Sequence, residues 1–292
     1  MPLPLSYGPL LDALVGVSWP ARRLAGAGAA GSHPSRLRGL TAEFTEYRPY
    51  RQGDDARRLD WKLLARTDRA YLRITDDHAI RPTILLLDAS ASLAFPEDTH
   101  GKWVQGCRLA VGLAAVARSD GDPVGLIVPG PSGELRLPPR AHRLAVAEIA
   151  RALDETTPAG SASLVASLDG LRRGSRVVII SDFLDEEQAL LERARALFVL
   201  GVEVFALHVV AEEERIPPAV TRLAVDPESP LRRTLHDEVR EGYVTNFTRW
   251  RSALAEAWRR AGAEFTEVRA EEDAAAVIRR IVRGAADDGV SR

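Results

Sequence analysis

The chain has 292 residues, with 39 basic and 41 acidic side chains and a formal charge of -2. At ~150 residues per domain, that length holds one large domain or two smaller ones with a substantial core. Its 27% charged and 46% hydrophobic residues exclude a disordered polymer, and the near-balanced charge argues against a dedicated, strongly basic nucleic-acid binder. A single cysteine, Cys107, excludes an intrachain disulfide and any Cys-rich zinc site. Six scattered histidines leave no HExxH pair. The apolar stretch Leu10–Val17 is far shorter than the ~20 residues a membrane helix needs. The first residues carry no basic n-region or clean cleavage site. The expectation is a cytoplasmic protein without a transmembrane segment.

In chain order, Leu10–Val17 predicts a short helix, and the Gly- and Ala-rich stretch 25–39 a flexible linker. Residues 40–80 are dense in charge and aromatics. β structure is expected around 42–48 and 70–76, with a turn or short helix between. After Pro82, apolar strand-like runs alternate with helical stretches, which reads as an α/β domain with a mostly parallel sheet. The strand candidates are Thr83–Leu87, Val124–Val128, Arg176–Ser181, Val202–Val210 and Glu264–Val268. Continuous apolar runs of this kind suit strands buried on both faces. Helices are expected at Lys102–Ala117, Ala141–Leu153, Leu164–Leu171, Glu186–Leu200, Val239–Ala261 and Asp273–Val282. Val239, Tyr243, Phe247, Trp250, Leu254 and Trp258 form one stripe that reads as core packing. The Pro-rich insertion 212–236 is expected at an edge, with Glu212–Glu214 in a solvated loop.

Several motifs fail on context. Gly26-Ala-Gly28-Ala-Ala-Gly31 fits GxGxxG but follows no strand, so it reads as linker. There is no phosphate-binding GxxxxGK[ST] loop and no GxSxG elbow. His208 lies in an apolar strand run and reads as a satisfied core histidine. Cys107 lies in an apolar helix and is expected to be inert. The Arg-rich stretch 48–73 is interleaved with Asp54, Asp55, Asp60 and Asp68, so its net field is small and no nucleic-acid partner is expected.

One constellation carries chemistry. Asp88-Ala-Ser90-Ala-Ser92 stands directly after the buried strand Thr83–Leu87. Ligands of open α/β sheets gather at the carboxyl ends of strands. An Asp and two hydroxyls at a spacing of two offer oxygen-only donors, which suit a hard cation such as Mg²⁺. The strand Arg176–Ser181 also ends in an acid, Asp182. If the two strands are neighbours, Asp88 and Asp182 converge. Two carboxylates ~4 Å apart repel by roughly 4 kcal/mol at an effective dielectric of 20. A dication, a proton or an Arg partner would relieve that cost. The loop Pro158-Ala-Gly-Ser161-Ala-Ser163 offers a further hydroxyl.

Asp-x-Ser-x-Ser after the first strand resembles the metal-ion-dependent adhesion site of von Willebrand factor type A domains. The resemblance covers 81–285. It implies direct Mg²⁺ ligation by Ser90 and Ser92, with Asp88 and Asp182 acting through water. Ser161 stands where the family has a Thr; this departure keeps the hydroxyl. Mn²⁺ and Ca²⁺ are the alternative ions. The implied fold is an α/β three-layer sandwich with a mostly parallel central sheet, helices on both faces and an N-terminal accessory β-containing segment.

A longer run, Glu43-Phe-Thr-Glu-Tyr47-Arg-Pro-Tyr50-Arg-Gln-Gly53-Asp-Asp55-Ala-Arg57-Arg-Leu-Asp60-Trp61-Lys-Leu-Leu-Ala65-Arg66-Thr, resembles the signature of the bacterial family called domain of unknown function 58. The signature residues Tyr47, Arg48, Tyr50, Gly53, Asp54, Asp55, Arg57, Asp60, Trp61 and Arg66 serve either domain docking, through aromatic packing and ion pairs, or partner recognition. The expected division is 1–39 as N-terminal helix and linker, 40–80 as accessory segment, 81–285 as type A domain, and 286–292 as a disordered tail. The resemblance implies a non-enzymatic interaction protein, an adaptor working with a MoxR-type AAA+ ATPase in assembly or maturation of other proteins. The competing reading is a metal-dependent phosphohydrolase. It requires a second Asp two residues after the nucleophile as general acid, and that position is Ser90.

Overall fold

The computed structural model describes residues 6–19, 43–50, 59–76, 80–131, 133–161, 163–185, 187–221, 223–225, 232–234 and 236–287. The chain forms two compact units, one of Met1–Ala27 with Arg81–Arg292 and one of Gly28–Ile80. The N-terminal described residues 6–19 fall in the same unit as the residues after Arg81. The expected linker 25–39 lies outside the described residues.

The first helix, α1 (Gly8–Ala13), has a proline in its first turn, where no intrahelical N–H is lost. Tyr7, Leu14 and Trp19 flank it and are buried in the core of the large unit.

The small unit pairs β1 (Glu43–Pro49) antiparallel with β2 (Tyr71–Asp76), from Glu43 opposite Asp76 to Pro49 opposite Tyr71. Between them lies α2 (Trp61–Thr67). Asp60 caps it, accepting hydrogen bonds from the Lys62 and Leu63 amides, both at 3.0 Å. The Asp60 amide donates to the Tyr71 carbonyl at 3.0 Å, which ties the helix start to the hairpin.

In the large unit, six strands form one sheet. They are β3 (Thr83–Leu87), β4 (Val124–Gly130), β5 (Gly133–Arg140), β6 (Arg176–Ser181), β7 (Glu203–Val210) and β10 (Glu264–Arg269). Their order is β10-β7-β6-β3-β4-β5. All neighbours pair in parallel except β4 and β5. The edge strand β5 escaped the sequence reading. It holds Pro138 and Pro139, which mask a strand, yet prolines are tolerated where one backbone edge is unpaired.

The period of two divides the strand side chains between two cores. Leu85, Leu87, Val178, Ile180, Phe205 and Leu207 face one side, where α3 (Gly101–Ser119), α4 (Ala145–Asp154) and α9 (Ala274–Asp287) pack. Ile84, Leu86, Val177, Ile179, Val204 and Ala206 face the other, where α5 (Leu164–Ser167), α6 (Glu187–Leu200) and α8 (Asp237–Arg260) pack. This is the three-layer α/β sandwich that the type A resemblance implies, and each fully buried Leu or Ile contributes roughly 1.5–3 kcal/mol.

Two further elements lie between β7 and α8. A short helix, α7 (Glu212–Arg215), stands where a solvated loop was expected. Leu223–Val225 (β8) and Arg232–Thr234 (β9) form a small antiparallel pair. The α8 stripe divides: Leu254 and Trp258 are buried, Tyr243, Phe247 and Trp250 are half-buried, and Val239 is exposed. A helix of 24 residues spans about 36 Å, whereas an eight-residue strand spans about 26 Å, so the helix overruns the sheet. The helix α9 continues through Ala286 and Asp287, two residues into the expected tail, because Ala285 and Ala286 favour helix. Residues 288–292 lie outside the described residues.

Candidate functional site

The site lies at the carboxyl ends of β3 and β6, the two adjacent central strands. Leu87 is in register with Ile180, so Asp88 and Asp182 each emerge from the end of a buried strand. The Asp88 amide donates to the Ile180 carbonyl at 2.9 Å, fixing the two chain exits together. Asp88, Ser90, Ser92 and Asp182 are all buried.

The Asp88 carboxylate is held from two sides. Its Oδ1 accepts from the Ser90 amide at 2.8 Å, and its Oδ2 accepts from the Ser181 hydroxyl at 2.6 Å. Ser181 Oγ in turn accepts from the Phe183 amide at 2.9 Å. That geometry places Phe183 at φ 54°, a left-handed conformation unusual for a bulky residue, which turns the chain sharply after Asp182. Burial, and then the nearby Asp182 charge, push the Asp88 carboxyl above its ordinary range.

Ser90 Oγ lies 3.0 Å from Ser92 Oγ. Ser90 caps a 3₁₀ turn, Ala91–Ala94, and Ser92 lies within it. The turn is fastened to the loop before α5. The Ala91 amide donates to the Gly160 carbonyl, and the Ala159 amide donates to the Ala89 carbonyl, both at 2.8 Å. Ser161 follows directly and is exposed.

Sequence reasoning missed the cation already present. Lys102, in the first turn of α3, is fully buried. Its Nζ donates to Asp182 Oδ2 at 2.8 Å and to Glu214 Oε1 at 2.7 Å. Burial pulls its pKa down, but the two carboxylates outweigh that and hold it above the ordinary value. Gly106 sits where α3 comes close to β3: a Cβ there would lie 2.8 Å from Leu87 Cδ1. Lys102 stands one helical turn earlier on the same face. A signal existed in the sequence: Lys102 and Lys62 are the only lysines in a chain whose other basic side chains are arginines.

Glu214 corrects the solvated-loop reading of Glu212–Glu214. Its side chain is 19% exposed and is committed to Lys102. Burial raises its pKa despite the ammonium beside it. His208 follows the same sheet end, one residue in register from the Asp182 turn, opposite Ser181. It is hydrogen-bonded to the Asp182 backbone, and burial outweighs that bond and pushes its pKa down to about 3. The expectation of a satisfied core histidine holds for one nitrogen only: Nδ1 has no hydrogen bond and lies 3.9 Å from Glu267 Oε2. Cys107 is fully buried and its thiol is pushed up by desolvation, as an inert cysteine should be.

The donor set fits a hard cation. All donors are oxygens. Two oxygens bound at about 2.1 Å and at right angles lie about 3.0 Å apart, which matches the Ser90–Ser92 separation. Asp182 and Glu214 face one ammonium and Asp88 lies near Asp182, so three acids stand to one lysine, an excess of two negative charges if all are ionised. No cluster of three or more His, Cys, Asp and Glu with metal-binding geometry occurs among the described residues, so any cation here would rely on the serines.

The signature residues divide. Gly53, Asp54, Asp55 and Arg57 lie outside the described residues. Tyr47 and Arg48 lie in β1. Asp60 is the α2 cap, while Trp61 is 63% exposed, Tyr50 is 36% exposed and Arg66 is exposed on the last turn of α2. No helix among the described residues is long and apolar enough to cross a membrane.

The chain is similar to several known proteins. The uncharacterized protein Rv1480 of Mycobacterium tuberculosis is 28% identical over 262 residues, covering 86% of this chain and 82% of the relative. The uncharacterized protein Mb1516 of Mycobacterium bovis matches to the same extent, 28% over 262 residues. Among solved structures, the conserved hypothetical protein BatB from Bacteroides thetaiotaomicron aligns with a TM-score of 0.45 at 19% identity, over 71% of this chain and 99% of that one. An aerotolerance-related membrane protein from Bacteroides fragilis aligns with a TM-score of 0.46 at 16% identity, over 71% and 98%. The family model described as protein of unknown function DUF58 matches residues 46–253, which take in most of the signature and the Asp88–Asp182 site, and the chain belongs to that family.

Proposed function

We propose that this chain is a non-enzymatic protein-interaction module that engages its partner through a divalent cation, Mg²⁺ in the first instance. The observation that carries this reading is the convergence of Asp88, Ser90, Ser92 and Asp182 at the ends of two adjacent parallel strands, with oxygen donors only and an excess of negative charge. Ser90 and Ser92 would hold the ion directly, with Ser161 supplying a third hydroxyl from the loop fastened to Ala89 and Ala91. Asp88 and Asp182 would act through water. When bound, the cation would offer an open coordination position to a carboxylate of the partner. Asp88 is oriented for that task by Ser181 and the Ser90 amide, so its lone pairs point in fixed directions.

The partner we assign is a MoxR-type AAA+ ATPase. What supports it is the 43–67 signature, which resembles a family linked with such ATPases. The exposed Trp61 supports a recognition role for that signature, because exposed aromatic side chains are frequent anchors in interfaces. The phosphohydrolase reading lacks its general acid: Ser90 occupies that position, and its hydroxyl pairs with Ser92.

The test is thermal unfolding of the full chain in Mg²⁺ and in EDTA. Mg²⁺ at tenfold above its dissociation constant should add about 1.4 kcal/mol of stability. Asp88→Ala should abolish the gain. Binding of a purified MoxR-type ATPase should then require Mg²⁺ and weaken in Trp61→Ala. Steady turnover of a generic phosphoester by the wild type would overturn the non-enzymatic reading.

A further inference from the structure

We propose that Lys102 is a resident counter-ion that competes with the dication and sets how tightly the site holds it. This rests on the cation-site reading above and deepens it. A buried ammonium between two carboxylates is an unusual neighbour for a dication site. Lys102 is fully buried, and two of its N–H groups are committed, to Asp182 Oδ2 and Glu214 Oε1. Its position does not depend on a mobile surface chain: it is fixed by α3, which comes close to Leu87 at Gly106.

The chemistry follows from charge and from occupancy of lone pairs. One Asp182 oxygen is already used by Lys102. The ammonium also offsets part of the negative field that would draw a dication to Asp88, Ser90 and Ser92. Without Lys102, three carboxylates would face the dication unopposed. Glu214 acts in the opposite sense. It shares the ammonium and so loosens its hold on Asp182, and it adds negative charge of its own. A lysine suits this role better than the arginine used almost everywhere else in the chain. An ammonium is a compact point charge that fits between two carboxylates, whereas a planar guanidinium would demand a wider, forked arrangement.

The signs therefore oppose one another. Removing the positive charge of Lys102 tightens the site, and removing the negative charge of Glu214 weakens it. The experiment is calorimetric titration of Mg²⁺, and separately Mn²⁺, into the full chain as wild type, Lys102→Met and Glu214→Gln. Lys102→Met should bind at least tenfold more tightly, and Glu214→Gln should bind at least fivefold more weakly. Thermal unfolding gives a second readout. Lys102→Met should lose stability in EDTA and recover more from Mg²⁺ than the wild type does. If the wild type binds and Lys102→Met binds no tighter, the counter-ion role fails and the cation reading stands. If Lys102→Met binds where the wild type does not, the counter-ion role is upheld in its strongest form. If neither binds, both fail. Should Lys102→Met not fold, Glu214→Gln decides: an unchanged affinity overturns the proposal.

Discussion

At the amino ends of the central strands, Arg176 and Arg81 face Glu203 and Asp122. At the carboxyl ends, Lys102 faces Asp182 and Glu214, with Asp88 beside them. Both ends bury charge, and both do so on the same strands. Arg176 opens β6 and pairs in register with Glu203, which opens β7. Its Nε donates to Glu203 Oε2 at 3.0 Å, and its guanidinium lies 4.0 Å from the Trp19 ring. Arg81 also pairs with Glu203, and its amide donates to Asp122 Oδ1 at 2.8 Å. Two cations meet two anions in this cluster. It also holds Trp19 and Arg81, which flank the inserted small unit, within the large unit. The carboxyl end has three acidic side chains to one lysine. The balanced end therefore reads as a structural clamp. The unbalanced end carries an excess of acids, two of them with raised pKa values, and such a cluster is a candidate functional site.

The comparison can be broken most forcefully at the clamp. Glu203→Gln leaves the buried Arg176 and Arg81 with Asp122 as their remaining counter-charge. Breaking a buried network by removing one partner costs about 3–5 kcal/mol. Urea denaturation should show that loss, and Mg²⁺ should not restore it. A loss under ~1 kcal/mol would mean that the clamp is not a clamp.

Neutralising an acid at the other end should behave differently. Asp88→Asn keeps an acceptor for the Ser90 amide and can donate to Ser181, while removing one of the excess charges. In EDTA its stability should stay within about 1 kcal/mol of wild type. Its response to Mg²⁺ should vanish. If Asp88→Asn costs as much as Glu203→Gln, the two ends are energetically alike and the charge excess at the carboxyl end has no functional meaning.

Much of this architecture was legible in the sequence because strands buried on both faces leave continuous apolar runs. Thr83–Leu87 and Arg176–Ser181 were read with their observed bounds. The strand ends gave Asp88 and Asp182, and their convergence followed once β3 and β6 proved to be neighbours. What stayed hidden were elements whose stability comes from tertiary partners. The edge strand β5 alternates weakly and carries two prolines. The helix α7 has four residues, too few for any period. Glu214 looked solvated because its partner, Lys102, lies 112 residues away. The α8 stripe was continuous in sequence, but only its second half meets the sheet, because helix length and strand length differ. Trp61 lies in a signature dense with aromatics and ions, yet it is exposed, which pattern alone could not separate from packing.

The smallest expected effect reads the charge excess without any metal. Tyr243 lies on the half of α8 that overruns the sheet, stacked on Phe247 with ring centroids 5.4 Å apart. Burial first, and then the Glu214 charge, push its pKa up to about 12 from 10.0. A phenol whose folded-state pKa is raised contributes stability below pH 10 that is lost as the pH rises through about 12. Spectrophotometric titration of the folded chain should therefore leave Tyr243 protonated when ordinary tyrosines have ionised. Glu214→Gln should lower its midpoint by a fraction of a unit, since the carboxylate is only the second cause. Glu203→Gln, which alters the balanced end, should leave that midpoint where it is. A midpoint that moves equally in both variants would show that the shift follows loosened packing, and the electrostatic distinction between the two ends of the sheet would be lost.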